Sequence, residues 1–215
     1  KGAFNEIPII NVCETIRYNA FSNEVTNRDD PLIVQFRIKS RHRRVYTDLA
    51  NAIKKHFQGY LLGPKYAFNG KHLENNIIHE NFNEFRKKII IVIYEHSSDS
   101  IIQGTPLLEI TNILLTTNMY RSFDMETIYN TNKQRSIDQS KEEFKVVCPN
   151  GENTNNYDIR RPLNMGFHCC FINMHMDDGY YLEAMKIFNT YSVQLKPFNL
   201  LLPTNTIKPD LSGIS

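Results

Sequence analysis

Six consecutive apolar residues, Ile89-Ile90-Ile91-Val92-Ile93-Tyr94, constrain this chain more than any other stretch. In a strand, successive side chains point to opposite faces, so a run that is apolar at every position must be covered on both sides. Strands of that kind belong to parallel sheets packed under helices. A second strand is expected over 31–38, where Pro31 opens the β-branched run Leu32-Ile33-Val34-Gln35-Phe36-Arg37-Ile38. Between the two, residues 44–57 form the clearest amphipathic helix, with Val45, Leu49, Ala52, Ile53 and Phe57 on one stripe. Strand, helix, strand in that order predicts βα units and a parallel sheet. An earlier helix over 9–21 follows from the spacing of Ile9, Val12, Cys13, Ile16 and Ala20, with Asn11 as its expected cap.

The later chain is patterned less sharply. Residues 109–116 have mixed character, with strand slightly preferred. Residues 125–143 are polar and read as a loop, or as a helix over 138–144. Residues 151–156 (GENTNN) are a loop by composition. A buried strand is expected over 167–174, then a polar break at Asp177-Asp178-Gly179 and an extended exit over 193–197.

Charge and cysteine usage narrow the setting. A net charge of +2 over 215 residues gives no electrostatic footprint for nucleic acid. The basic residues gather locally, at Arg37, Lys39, Arg41, Arg43 and Arg44. That run reads first as a solvated strand end and loop, and second as an anion or partner contact. The four cysteines, Cys13, Cys148, Cys169 and Cys170, lack metal-ligand spacing. Cys169 and Cys170, adjacent on a strand, point to opposite faces. Buried reduced thiols suit an intracellular setting, cytoplasmic or inside a particle assembled in the cytoplasm. No apolar run reaches membrane-spanning length and no signal peptide is visible. A chain opening on Lys1 reads as a fragment or processed segment.

Several stretches resemble, in order, the catalytic barrel of eukaryotic phosphoinositide-specific phospholipase C. Residues 11–21 (NVCETIRYNAF) before 30–37 (DPLIVQFR) resemble the family's D-V-x-x-A-I-x-x-x-A-F helix before Y-P-V-I-L-S-L-E-N-H-C. His56-Phe57-Gln58-Gly59-Tyr60-Leu61 resembles I-F-G-x-x-L, and 85–95 (FRKKIIIVIYE) resembles L-K-G-K-I-L-I-K-x-K-K. Residues 118–123 (NMYRSF) are similar to S-V-x-F-x-S-F, and 144–157 to L-S-R-I-Y-P-x-G-x-R-x-x-S-S-N-Y with a shortening. Asn164, Gly166 and Asn173 match N-x-G-C-Q-x-V-A-L-N-F-Q, and Phe188, Asn189, Leu195, Lys196 and Pro197 match F-x-x-N-G-G-C-G-Y-V-L-K-P.

The resemblance implies an α/β fold, a partial (β/α)8 TIM-barrel-like architecture comprising the later strands, with a variable linker. Residues 1–96 would be the later part of the X-like half, 97–143 the linker and connecting segment, and 144–215 the Y-like C-terminal part. The family's two catalytic histidines and first two Ca²⁺ carboxylates would lie before Lys1. Five substrate and metal positions would fall inside this chain, and all are changed. Arg37 stands where the third Ca²⁺ carboxylate belongs, Val92 and Tyr94 where two phosphate-binding lysines belong, and Val146 and Cys148 where an arginine and an inositol-stacking tyrosine belong. Arginine repels Ca²⁺ and valine has no polar atom.

The expectation is therefore a non-catalytic phospholipase C-like barrel, a pseudoenzyme with no catalytic residue, metal ligand or cofactor. It would act as a structural or interaction module with protein partners, in a large assembly such as a virus particle. One alternative is an active phosphoinositide phospholipase C whose catalytic groups lie outside this segment; only then would Ca²⁺ be a cofactor. The other is a binder of anionic phospholipid head groups through the basic run. His168 and His175, on opposite faces, are poor zinc ligands. Asp177 and Asp178 read as turn formers, and His56, His72, His79 and His96 are scattered.

Overall fold

Local sequence explains most elements of the computed structural model, which describes residues 6–68, 77, 80–95, 100–115, 120–149, 155–189 and 193–201. Helix α1 (Ile9–Asn19) starts from Pro8, not from the Asn11 cap expected; Pro8 brings a fixed φ and no N–H to a position needing neither. Strand β1 (Leu32–Ile38) and helix α2 (Arg43–His56) fall where the periodicity put them. The expected stripe is buried at Leu49, Ala52, Ile53 and Phe57 but not at its first member. Val45 is exposed, while Tyr46, Leu49, Ala50 and Ile53 enter the core. Tyr46 wins the place because its hydroxyl reaches a buried acceptor, Glu95 Oε1, at 2.8 Å.

Strand β2 (Ile89–Glu95) is buried on both faces as expected, with Ile89, Ile91, Val92 and Ile93 at 0% exposure. The strand expected over 109–116 contracts to β3 (Ile113–Leu114). Residues 100–110 coil instead as linked turns that bury Ile102 and Leu107 against the first core. After β4 (Tyr120–Phe123), the polar stretch expected as a loop or a late helix forms two short helices, α3 (Met125–Asn130) and α4 (Lys133–Ser140). Each begins at a side-chain cap: Asp124 accepts from Thr127 N–H and Asn132 from Arg135 N–H.

Strand β5 (Phe144–Val147) and helix α5 (Arg160–Asn164) lead to β6 (Cys169–Cys170), which replaces the eight-residue strand expected over 167–174. Two loop residues explain the shortening. The Tyr157 hydroxyl donates to Phe171 O at 2.5 Å, and Asn173 N–H donates to Asn156 Oδ1 at 2.6 Å. Asn156 Nδ2 also donates to the carbonyls of Asn173 and Met176. Side chains thus satisfy the backbone where a ladder would have continued. Asp178 then caps helix α6 (Gly179–Ile187), an element not expected between the polar break at 177–179 and the extended exit over 193–197.

The result is a mixed α/β structure holding two three-stranded parallel sheets, ordered β1-β2-β3 and β4-β5-β6. Leu32 to Ile38 run in register with Ile89 to Glu95, Val92 pairs with Ile113, Tyr120 with Phe144, and Val146 with Cys169. Three apolar layers follow from the pleat. Ile89, Ile91 and Ile93 pack on α2 and Cys13 of α1. Val147 and Cys170 pack with Ile128 of α3, Ile159 and Ala184 of α6. The opposite faces of both sheets meet in one shared layer: Ile90, Val92, Ile113, Phe144 and Val146, flanked by Ile33, Cys169 and Phe171. The two cysteines therefore do part to opposite faces.

Gly166, between α5 and β6, sits at φ +82°, and a Cβ there would collide with the Ser140 side chain of α4. Substitution Gly166→Ala therefore combines left-handed backbone strain with overpacking, and should lower stability by about 1–3 kcal/mol, read as a lower urea midpoint at unchanged slope.

Candidate functional site

The parallel strands place one face of β1, β2 and β5 toward the shared layer, and the five positions of interest fall on or beside that face. Val92 and Val146 are its centre, at 0% and 1% exposure. Arg37 is the register partner of Tyr94, and its guanidinium carbon lies 5.2 Å from the centre of the Tyr94 ring. Such a stack satisfies an exposed cation on an aromatic face and is worth about 0.5–1 kcal/mol at the surface. Cys148 follows β5, and Gln35 of β1 donates to its sulfur at 3.9 Å, a weak contact that links the two sheets. The structure thus gathers Arg37, Tyr94, Val92, Val146 and Cys148 around one face and lines it with apolar side chains and an aromatic-covered cation.

The basic run lies beyond the end of β1. Lys39, Arg41, Arg43 and Arg44 are all exposed. Arg43 donates to Gln103 O at 2.9 Å, and Arg44 stands 3.6 Å from Asp48 in an exposed pair of small worth. Arg43 and Arg44 occupy the first turn of α2, which has no acidic residue there and no side-chain cap. Cations at a helix N-terminus oppose the macrodipole, so this placement does not serve helix stability.

Glu95 closes β2 as a buried carboxylate. Its Oε1 accepts from Tyr46 Oη and from the backbone of Ile101 and Ile102, at 2.8, 2.9 and 3.1 Å. Burial, then Glu95, pushes the Tyr46 hydroxyl well above the ordinary tyrosine range. The node ties α2, β2 and the 100–110 turns together.

The described histidines do not converge on one another. His56 is buried 3.9 Å from Glu14, His175 is exposed beyond β6, and His72, His79 and His96 lie outside the described residues. Asp178 is committed to its cap. Among the described residues no group of three or more His, Cys, Asp or Glu side chains is placed to hold a metal ion. A surface hollow of about 710 Å³ lies beside α6, lined by Arg160, Asp178, Tyr180 and Glu183 and spanned by an Arg160–Glu183 ion pair; none of the five strand positions borders it.

One polar cluster escaped the sequence reading. Lys145 of β5 points to the helix side and is 1% exposed, its Nζ donating to Ser136 O, Ser136 Oγ and Gln139 Oε1 at 3.0, 3.3 and 3.2 Å. Beside it, His168 stacks on Phe144 at 4.9 Å and receives the Lys145 backbone N–H at Nδ1, 3.2 Å away. Lys196 Nζ lies 2.8 Å from His168 Nε2 and donates to Gly166 O at 2.6 Å. Burial, then the charges of Lys196 and Lys145, pushes His168 down to about 3. Burial, then Lys145, lowers Lys196 to about 8, with Cys169 acting the other way. The signal available in the sequence was a lysine inside an otherwise apolar strand, Phe144-Lys145-Val146-Val147.

No protein-family model and no curated protein matches this chain.

Because the unfolded chain binds a proton at His168 more readily than the folded one, stability falls as pH drops from about 6.5 toward 3. The same rule for Lys196 makes stability rise as pH climbs from about 8 toward 10.5. Urea midpoints across pH 3–7 should show a steeper acid limb for the parent chain than for His168→Gln.

Proposed function

We propose that this chain is a phospholipase C-like barrel segment without catalytic chemistry, used as a structural or interaction module. Two parallel sheets in chain order, with an apolar layer between them and helices outside, support a (β/α)8-type reading. The observation that carries the proposal is the burial of Val92 and Val146 inside the shared layer. On the resemblance, these strand positions would present cations to substrate phosphates. Each charge-assisted hydrogen bond lost there removes about 1.5–3 kcal/mol of phosphate affinity. Arg37, at the expected carboxylate position, sets a positive charge where a Ca²⁺ ligand would have to be.

A protein of this kind offers surfaces rather than a reaction, and a large cytoplasmically assembled particle is a setting that suits it. No helix among the described residues is long and apolar enough to cross a membrane. A second reading, contact with anionic phospholipid head groups, is favoured by the exposure of Lys39, Arg41, Arg43 and Arg44 in one stretch where they do not stabilise α2.

The full-length protein, supplied with labelled phosphoinositide vesicles and Ca²⁺, should release no inositol phosphate above the blank. Calcium-dependent release would establish the enzymatic alternative instead. Sedimentation with phosphatidylserine vesicles tests the second reading: binding that falls with salt and is reduced at least tenfold in R41E/R44E supports it, and equal recovery with phosphatidylcholine removes it.

A further inference from the structure

The contacts of His168 impose a hydrogen-bond count that the neighbouring lysine must satisfy. A neutral imidazole offers one acceptor and one donor. Both ring nitrogens of His168 face nitrogen: the Lys145 backbone N–H at Nδ1, 3.2 Å away, and Lys196 Nζ at Nε2, 2.8 Å away. The backbone amide is a donor and stays one. Nδ1 is therefore the acceptor and the ring proton sits on Nε2, pointing at Lys196. An ammonium there would set two donors against each other at hydrogen-bond distance, and a doubly protonated ring would worsen the clash. An uncharged amine resolves it, accepting from Nε2–H through its lone pair while donating to Gly166 O at 2.6 Å.

The surroundings agree with that count. The charged and titratable groups facing Lys196 are Lys145 on β5 and His168 and Cys169 at β6. Lys145 is a cation and repels a second one. Phe144 stacks on the imidazole ring. Burial and Lys145 both favour the neutral amine. The side chain is only half-buried, so small reagents reach it.

We propose that Lys196 is an easily deprotonated amine, a nucleophilic modification site for small carbonyl and acyl electrophiles, whose uncharged form has its lone pair held by His168 Nε2–H. When the amine leaves that hydrogen bond it attacks a carbonyl carbon. The Nζ–C bond forms and the C=O π pair moves to oxygen. With an aldehyde, a proton passes from nitrogen to oxygen and water leaves, giving an imine. With an anhydride, the carboxylate leaves and takes the nitrogen's proton, giving an amide. Neither route needs an oxidant or a reductant.

The test uses the intact chain and acetic anhydride. Brief labelling at a series of pH values, followed by peptide mass spectrometry, gives the midpoint of Lys196 acetylation, which is independent of how easily the reagent reaches it. A midpoint near 8 is expected, against about 10.4 for an ordinary lysine, so the uncharged fraction at pH 8 is on the order of 100-fold larger than usual. A midpoint above 10 overturns the proposal. Imidazole nitrogen-15 shifts of His168 at about pH 9.5, above the midpoint expected for Lys196, should report the Nε2–H tautomer; the Nδ1–H tautomer there overturns it. His168→Phe keeps the ring's bulk and removes the donor, and should move the midpoint toward 10.4. An unmoved midpoint in that variant overturns the role given to His168, and if the variant fails to fold, the two measurements on the parent chain decide alone.

Discussion

The shared apolar layer between the two sheets is the constraint on which the rest depends. Ile90, Val92 and Ile113 from one sheet and Phe144 and Val146 from the other lose water against each other and against Phe85 and Leu115. At about 25 cal/mol per Å² of apolar surface removed from water, a layer of this kind outweighs any single polar contact in the molecule. It also dictates what the strands can present. A position whose neighbours are isoleucine, valine and phenylalanine cannot carry a lysine without leaving a charge unpaired in a dry interior. The absence of charged side chains at Val92 and Val146 and the completeness of this packing are therefore one fact seen from two sides.

Much of the fold was legible because its period was. The unbroken run at β2 announced a strand covered on both faces, and the β1–α2–β2 order announced a parallel pair; both appear in the structure. What escaped was decided at longer range. Val45 and Tyr46 are adjacent and both apolar by count, yet only Tyr46 has a hydroxyl that reaches Glu95. The strand around Cys169 looked eight residues long in isolation, but Asn156 and Tyr157, over a dozen residues upstream, take its later backbone groups. Helices α3 and α4 are polar and short, and their caps at Asp124 and Asn132 outweighed a weak periodicity.

The candidate site divides in the same way. That Val92 and Val146 are buried follows from the apolar character of their own strands, β2 and β5. The placement of Arg37 over Tyr94 needed the register of β1 against β2, which no spacing in the sequence supplies. Lys145, His168 and Lys196 are separated by more than twenty residues at each step, and only the return of the chain past Pro197 brings them together. Polar groups in a core are the least readable from a sequence, because their partners rather than their own character decide whether they are tolerated.

Each strand in either sheet hydrogen-bonds to the strand that precedes or follows it in the chain, and always in parallel. Such an arrangement asks little of segments not yet synthesised. As the polypeptide leaves the ribosome, β1 with α2 can await β2, and β4 can await β5, each sheet growing at one margin only. Assembly can thus proceed from the amino terminus onward, with the shared layer closing as Phe144 and Val146, and then Cys169 and Phe171, arrive to cover the surface of β2 and β3.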